Sequence, residues 1–191
     1  MKRILLIASV LLIIISCGTK LNGEALILNY LQENTDGSEY TIIEVSEPDS
    51  LYSPFELINA LLISKSSRYA ELSKQLANAS DHPTLKERKA AASEVADLAY
   101  AEYHNFEDSF DIIHALTDKY FNNRPANRVG FRAKYKVDGD LEEDVFYLER
   151  DQSAVGHTAS ELMDRYKELV ELNSKFFSLK TDAEEYASMM R

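Results

Sequence analysis

The feature that most constrains the fold is a stretch from residue 84 to residue 124 that contains no glycine and no proline. Thr84 and Glu87 form a capping box at its start, in which each side chain accepts a hydrogen bond from the other residue's backbone amide. Beyond it, apolar residues recur at helical spacing. They are Leu85, Ala91, Val95, Leu98, Ala99, Tyr103, Phe106, Phe110, Ile113 and Tyr120. A helix this long indicates pairing with another helix along its side.

A second helical pattern lies directly before this stretch. Ser53, Pro54 and Glu56 combine an N-cap serine, a proline at the first helical position and a glutamate at the third. Apolar residues from Phe55 to Leu76 continue at helical spacing, which predicts a helix that ends near Ala79. Because only residues 80–83 separate the two patterns, we expect a long antiparallel helical hairpin.

The clearest strand pattern follows the second helix. Apolar residues alternate with basic ones, as in a half-buried antiparallel strand. The apolar set is Val129, Phe131, Ala133, Tyr135 and Val137, and the basic set is Arg132, Lys134 and Lys136. Asp138-Gly139 predicts a two-residue hairpin turn. That turn pairs Phe131 with Phe146 and Lys134 with Glu143 on the returning strand.

The remaining patterns complete the expected fold. Residues 24–33 predict a short amphipathic helix, and residues 39–46 predict a further strand. Thr158 and Glu161 form a capping box before another helix, while Thr181 and Glu184 predict a separate short last helix. The sequence therefore predicts a mostly helical α+β fold, with a long antiparallel helical hairpin and a small antiparallel β-sheet, as a single domain over 23–191.

The N-terminal region has the layout of a signal peptide. Residues 4–15 are uncharged and apolar, and they follow the basic start Met1-Lys2-Arg3. The run is too short for a membrane-spanning helix, which needs about 20 apolar residues. It ends in Ile14-Ile15-Ser16-Cys17, which resembles the lipobox of bacterial lipoproteins. An ordinary cleaved signal is the alternative, although it requires no cysteine here. We expect a lipoprotein signal peptide over 1–16 and a lipidated tether over 17–22.

This resemblance implies a cellular location and a lipid anchor. Cys17 would receive a diacylglyceryl group on sulfur and, after cleavage, an acyl group on its new amine. Gly18 follows in place of the aspartate that favours inner-membrane retention, so we expect a cell-envelope protein in the outer membrane. The layout also resembles small Gram-negative lipoproteins of unknown function, through the lipobox, Ser38-Glu39-Tyr40 opening a strand, the paired helices and the hairpin over 129–151. That family provides no activity and no site residues.

The charge balance and the cysteine content exclude several classes of function. The chain carries 32 acidic residues against 21 basic ones, with a net charge of −11. This balance argues against nucleic acid as a partner, and it leaves the lipid on Cys17 as the contact with the membrane. Cys17 is the sole cysteine, so its lipidation excludes disulfides and thiolate metal sites.

One candidate site lies on the long second helix. His104, Glu107, Asp111 and His114 follow one another at spacings of 3, 4 and 3, so they share a helix face. Imidazole and carboxylate groups in this pattern can bind zinc or iron. The alternative is a solvated polar face. Because bundle metal sites gather ligands from several helices and no matching second motif is present, we favour the solvated face and expect no cofactor.

A second candidate site is a group of basic residues in an otherwise acidic chain. Its members are Arg124, Arg128, Arg132, Lys134 and Lys136. Such a group can bind the anionic part of a lipid headgroup, a glycan or an acidic partner. The alternative is a solvated sheet face, either paired with Glu142, Glu143 and Glu149 or covered by an acidic helix. We favour the alternative, since surface ion pairs are common and contribute little.

No catalytic signature is present in the sequence. The serines lack a Gly-x-Ser-x-Gly elbow, and there is no glycine-rich phosphate loop. The leading hypothesis is a non-enzymatic, lipid-anchored envelope protein that binds a protein partner or a small ligand. A metal-dependent hydrolase that uses the His104 helix face is the first alternative. A structural protein for envelope assembly is the second.

Overall fold

Four α-helices and five β-strands make up the described part of the chain. The computed structural model describes residues 22–34, 37–114 and 125–189, with side chains for all of these except 107–114. The helices are α1 (Gly23–Asn34), α2 (Phe55–Asn78), α3 (Leu85–His114) and α4 (Ala159–Met189). The strands are β1 (Tyr40–Val45), β2 (Asp49–Leu51), β3 (Arg128–Val137), β4 (Asp140–Leu148) and β5 (Val155–Thr158). The mostly helical α+β class is confirmed.

The chain divides into two compact units, each built from two separate stretches of sequence. The sheet unit takes its described residues from 1–49 and 129–156, and the helical unit takes its described residues from 50–128 and 157–191. The single domain expected over 23–191 stays a prediction. Residues 14–17, which resemble a lipobox, lie outside the described residues. Among the described residues, no helix has the length and apolar character that crossing a bilayer requires.

The β-hairpin of the sheet unit has the predicted register. Asp138 and Gly139 adopt positive φ angles of 52° and 98°, as a tight two-residue turn requires. Phe131 pairs with Phe146 and Lys134 pairs with Glu143, as the alternation predicted. The sheet order is β1-β3-β4-β5, with β2 also paired to β3. β1 and β4 both run antiparallel to β3, so three strands lie side by side with β3 in the centre.

Helix α1 covers the apolar face of this sheet. Ile27 and Leu31 are buried in one cluster with Phe131, Phe146 and Leu148. Gly23 starts the helix against the Phe131 ring, where a Cβ would lie 2.8 Å from Cε1. Glycine is therefore required for α1 to approach the sheet so closely. The opposite face of β3 remains uncovered by α1 and carries the basic residues.

The predicted helical hairpin is present in the helical unit. Leu72 of α2 packs with Val95 of α3, and Lys65 forms an ion pair with Glu102 farther from the connection, so the two helices run antiparallel. The capping box at α3 is also confirmed, since Glu87 N donates to Thr84 Oγ1 at 3.2 Å and Thr84 N donates to Glu87 Oε2 at 3.1 Å. α3 continues through Asn105 without interruption.

Helix α4 turns the hairpin into a three-helix arrangement. Leu172, Phe176 and Leu179 of α4 join Leu72 and Val95 in one buried cluster. A second cluster combines residues from all three helices: Ile58, Phe106, Leu162 and Leu169. The sequence predicted the hairpin, whereas the packing of α4 against both of its helices emerges from the structure.

The predicted capping box at α2 and the predicted separate last helix are wrong, whereas the capping box at α4 is confirmed. α2 begins at Phe55 with Pro54 at its N-cap, one residue later than predicted. Ser53 Oγ still accepts a hydrogen bond from Phe55 N at 3.3 Å, but Glu56 pairs with Arg128 instead of accepting from Ser53 N, so the reciprocal box is absent. Thr181 starts no new helix, since it lies within α4 and donates its hydroxyl hydrogen to Phe177 O at 3.1 Å. Thr158 does cap α4, with Glu161 N donating to its Oγ1 at 3.1 Å.

Candidate functional site

Three charged residues form a row across the exposed face of the sheet. Glu44 of β1 lies opposite Lys134 of β3, and Lys134 lies opposite Glu143 of β4. All three are exposed. Lys134 Nζ lies 3.3 Å from Glu44 Oε2, which forms an ion pair across the strands. The central cation is therefore neutralised from the β1 side.

A β-bulge is responsible for the position of Glu44. Ile42 pairs with Tyr135, but the register then shifts, so that Glu44 pairs with Lys134 and Val45 with Ala133. An uninterrupted strand would place Glu44 opposite Ala133, on the apolar face. The bulge adds one residue and brings Glu44 to the charged face instead. Ile43 is left 51% exposed.

Arg132 is held beside this row by its backbone. Ser46 N donates to Arg132 O at 2.9 Å, and Arg132 N donates to Ser46 Oγ at 3.0 Å. Both main-chain polar groups are thereby satisfied, and the residue as a whole is exposed. Among the described residues, no carboxylate forms an ion pair with Arg132. The structure thus presents an exposed arginine that has a fixed backbone and no carboxylate partner among the described residues.

These residues enclose a shallow pocket. Its volume is about 180 Å³, and its walls come from β1, β3, β4 and the residue after β1. The lining residues are Glu44, Ser46, Arg132, Ala133, Lys134 and Glu143. Within the described part of the chain, Glu143 forms no ion pair either. The pocket is therefore lined by one ion pair, Glu44 with Lys134, and by two residues of opposite charge that form no ion pair among the described residues, Arg132 and Glu143.

The basic group expected from the sequence is divided by the structure. Arg132, Lys134 and Lys136 lie on one exposed face of β3, as predicted. Arg128 does not belong to an exposed patch, because its side chain is only 7% exposed and pairs with Glu56. Arg124 lies outside the described residues. Lys134 pairs with Glu44, a residue that the sequence had not suggested as its partner.

The histidine–carboxylate face of α3 is described only in part. His104 is exposed, and its ring packs edge-on against Tyr100 at a centroid distance of 4.3 Å. Glu107, Asp111 and His114 belong to α3, but their side chains lie outside the described residues. Among the side chains that are described, no three histidines, cysteines or acidic residues gather as metal ligands. The metal site stays a prediction.

The helical unit contains a buried polar cluster that the sequence did not predict. His157 Nε2 lies 2.6 Å from Ser53 Oγ, and the His157 ring stacks on Phe55 at a centroid distance of 4.1 Å. Burial, reinforced by the positive charge of Arg128, lowers the pKa of His157 to about 4. The imidazole is therefore neutral at pH 7.

Asn127 closes this cluster through the backbone of Ser53. Ser53 N donates to Asn127 Oδ1 at 2.8 Å, and Asn127 Nδ2 donates to Ser53 O at 2.8 Å. Ser53 and His157 are each only 4% exposed. A serine next to a neutral histidine is a nucleophile arrangement in chemical terms. Here, however, both residues are buried, and the hydrogen bonds of Ser53 to Asn127 and His157 join the segments before α2, before β3 and before α4.

Comparisons of the chain with protein-family models, with curated proteins and with solved structures give no match.

Proposed function

We propose that this chain is a lipid-anchored protein of the bacterial outer membrane, held by lipid on Cys17, and that it is a non-enzymatic binding module. Its binding surface is the exposed face of β1, β3 and β4. One observation carries the proposal: an exposed arginine without a carboxylate partner among the described residues lines a pocket on that face. In an acidic chain, this is where an anionic group of a partner is attracted.

The buried serine–histidine pair supports a binding role over a hydrolytic one. A nucleophile has to reach the reacting atom of its substrate at about 3 Å. Ser53 is only 4% exposed, and its hydroxyl accepts a hydrogen bond from Phe55 N at 3.3 Å and bonds to His157 Nε2 at 2.6 Å. The sheet pocket, by contrast, is lined by charged groups that suit recognition.

The anchor is tested by metabolic labelling with a lipid probe followed by membrane fractionation. Wild-type protein and the control Thr19→Ala are expected to carry the label and to sediment with membranes. Cys17→Ala is expected to lose the label and to leave the membrane fraction, because a single acylated cysteine residue provides the whole attachment. Unchanged labelling and fractionation of Cys17→Ala would remove the basis for the anchor.

The binding surface is tested by recovery of partners from solubilised membranes. The variant Arg132→Glu/Lys136→Glu reverses two charges on the proposed surface. Its matched control, Lys74→Glu/Lys89→Glu, makes the same change in net charge at exposed positions on α2 and α3. A stoichiometric partner should be recovered with wild type and the control but not with the sheet variant. Equal recovery with both variants would contradict the assignment of the surface.

A further inference from the structure

We propose that the sheet-face pocket binds a zwitterion, with Arg132 receiving the anionic group and Glu143 receiving the ammonium group. This inference names the ligand class for the surface assigned under the proposed function, and it rests on that assignment. The ligand class is a small molecule, or the end of a larger one, that carries both charges a few bonds apart.

The pairing of charges around the pocket leads to this ligand class. Glu44 and Lys134 neutralise each other. Arg132 and Glu143 remain, and within the described residues neither forms an ion pair. A purely anionic ligand would leave Glu143 repelling it, and a purely cationic ligand would leave Arg132 repelling it. Only a ligand with both charges complements both residues.

The sheet register places the two unpaired residues at a suitable separation. Arg132 pairs directly with Val145, so Glu143 is its diagonal neighbour on β4. Diagonal neighbours on two antiparallel strands lie about 7–8 Å apart through space. Their long side chains can converge on adjacent charged groups of one ligand. The planar guanidinium of Arg132 also suits two-point recognition of a carboxylate or a phosphate.

The size and rigidity of the pocket limit the ligand further. A volume of about 180 Å³ is well below the range of about 300–1,000 Å³ that is usual for drug-sized ligands. It suits a group of amino-acid size. The main chain of the pocket is preorganised, because both the amide and the carbonyl of Arg132 are hydrogen-bonded to Ser46. Binding therefore needs little ordering of the main chain.

Two sources can supply this chemistry at a cell envelope. One is a free amino acid or a short peptide, which carries a carboxylate and an ammonium group a few bonds apart. The other is an ethanolamine phosphate headgroup, in which a phosphate takes the place of the carboxylate. The experiment distinguishes these sources by using dialanine for the first and glycerophosphoethanolamine for the second.

The test is an NMR titration of the full chain in a nonionic detergent, read at the amide resonances of Ser46, Ala133 and Lys134. At least one zwitterion should shift these resonances saturably in the millimolar range, as expected for a few exposed charge contacts. Binding of dialanine alone identifies the peptide source, binding of glycerophosphoethanolamine alone identifies the headgroup, and binding of both supports the shared chemistry. The absence of saturable shifts with either zwitterion would overturn the proposal.

Analogues and variants test each half of the recognition. Where dialanine binds, N-acetyl-dialanine and dialanine amide, which each lack one charge, should bind about two- to fivefold more weakly. Where glycerophosphoethanolamine binds, its N-acetyl derivative should weaken similarly. Arg132→Gln and Glu143→Gln should weaken binding by the same factor, whereas the control Lys74→Gln, at an exposed position on α2, should leave affinity unchanged. Equal affinity for the parent zwitterion and its singly charged analogues would also overturn the proposal.

Failure here can be told apart from failure of the proposed function. Recovery of a partner that depends on Arg132 and Lys136, together with no response to either zwitterion, would leave the binding surface in place and reject the ligand class. Loss of lipid labelling affects the anchor alone. Saturable binding of a zwitterion at these amides supports the pocket regardless of how the chain is anchored.

Discussion

Glu44 lies opposite Lys134, with its Oε2 3.3 Å from Nζ, because a one-residue bulge in β1 moves it off the apolar face of the sheet. On a regular strand the same glutamate would face the buried Ala133. The bulge therefore places Val45 on the apolar face of the sheet and Glu44 in the row of charged residues on the exposed face. This relationship underlies the pocket.

Removing the extra residue should therefore be tolerated. Deletion of Ile43 is expected to keep Ile42 opposite Tyr135 and Glu44 opposite Lys134, since Ile43 is the one residue without a partner in the register. The free energy of unfolding, measured by urea denaturation, should change by less than about 1 kcal/mol, the scale of an exposed surface change. The control deletes Ile43 and Glu44 together. It shifts Val45 to the charged face and should lower stability by about 2 kcal/mol or more. Equal losses in the two variants would contradict the assignment of the bulge.

The His157 cluster should make the protein less stable in mild acid. The pKa of His157 is about 4 in the folded state against an ordinary value of 6.5, so between these values the unfolded chain binds more protons. Stability from this group is fully present above pH 6.5 and is lost as the pH falls to about 4. A shift of this size corresponds to about 3 kcal/mol. Urea unfolding of wild type at pH 7 and pH 4 measures the loss.

A variant without the titrating ring isolates this contribution. His157→Gln should be less stable than wild type at pH 7, because it loses the stacking on Phe55. Between pH 7 and pH 4, however, the stability loss of the variant should be about 3 kcal/mol smaller than that of wild type. His82→Gln, at an exposed position, controls for the removal of a histidine. The account of the cluster fails if wild type and His157→Gln lose the same stability over this range.

Two threonines of α4 provide a matched test of helix capping. Thr158 caps the helix and Glu161 completes the box, with Thr158 N donating to Glu161 Oε2 at 2.9 Å. Thr158→Ala should therefore reduce the free energy of unfolding by about 1 kcal/mol. Thr181 lies in the interior of the helix, so Thr181→Ala should be neutral or slightly stabilising, because alanine is the better helix former. Chemical denaturation of both variants under identical conditions measures the difference. A loss at Thr181 that matches the loss at Thr158 would show that a new helix starts there.

Local patterns predicted most of the fold. The Asp138-Gly139 turn and the alternation of β3 determined the hairpin register, because both signals lie within a few residues of each other. The helices followed from their spacing. The start of α2 was predicted to within one residue, but its capping box was not formed, since Ser53 Oγ also bonds to His157, 104 residues away, and Glu56 pairs with Arg128. β2 has three residues and no pattern of its own, so only its pairing with β3 defines it.

The candidate site was predictable in part, because local patterns predict which residues share a face but not which distant residues contact them. The period of β3 placed Arg132, Lys134 and Lys136 on one face. Ile42 and Ile43 are both apolar, so the pattern gave no signal for the bulge that brings Glu44 to Lys134. Ser46 lines the pocket because it hydrogen-bonds to the backbone of Arg132, and no sequence pattern predicts such a contact. Arg128 appeared to belong with its basic neighbours, yet its partner Glu56 lies on α2.

Site-specific photo-crosslinking in intact cells tests the binding surface most directly. A photoreactive residue at position 136, on the exposed face of β3, is compared with the same residue at position 74, on an exposed part of α2. The account predicts a discrete crosslinked product at position 136 that is lost on Arg132→Glu and is absent at position 74. An identical crosslinking pattern at both positions, unaffected by Arg132→Glu, would contradict the assignment of this face as the binding surface.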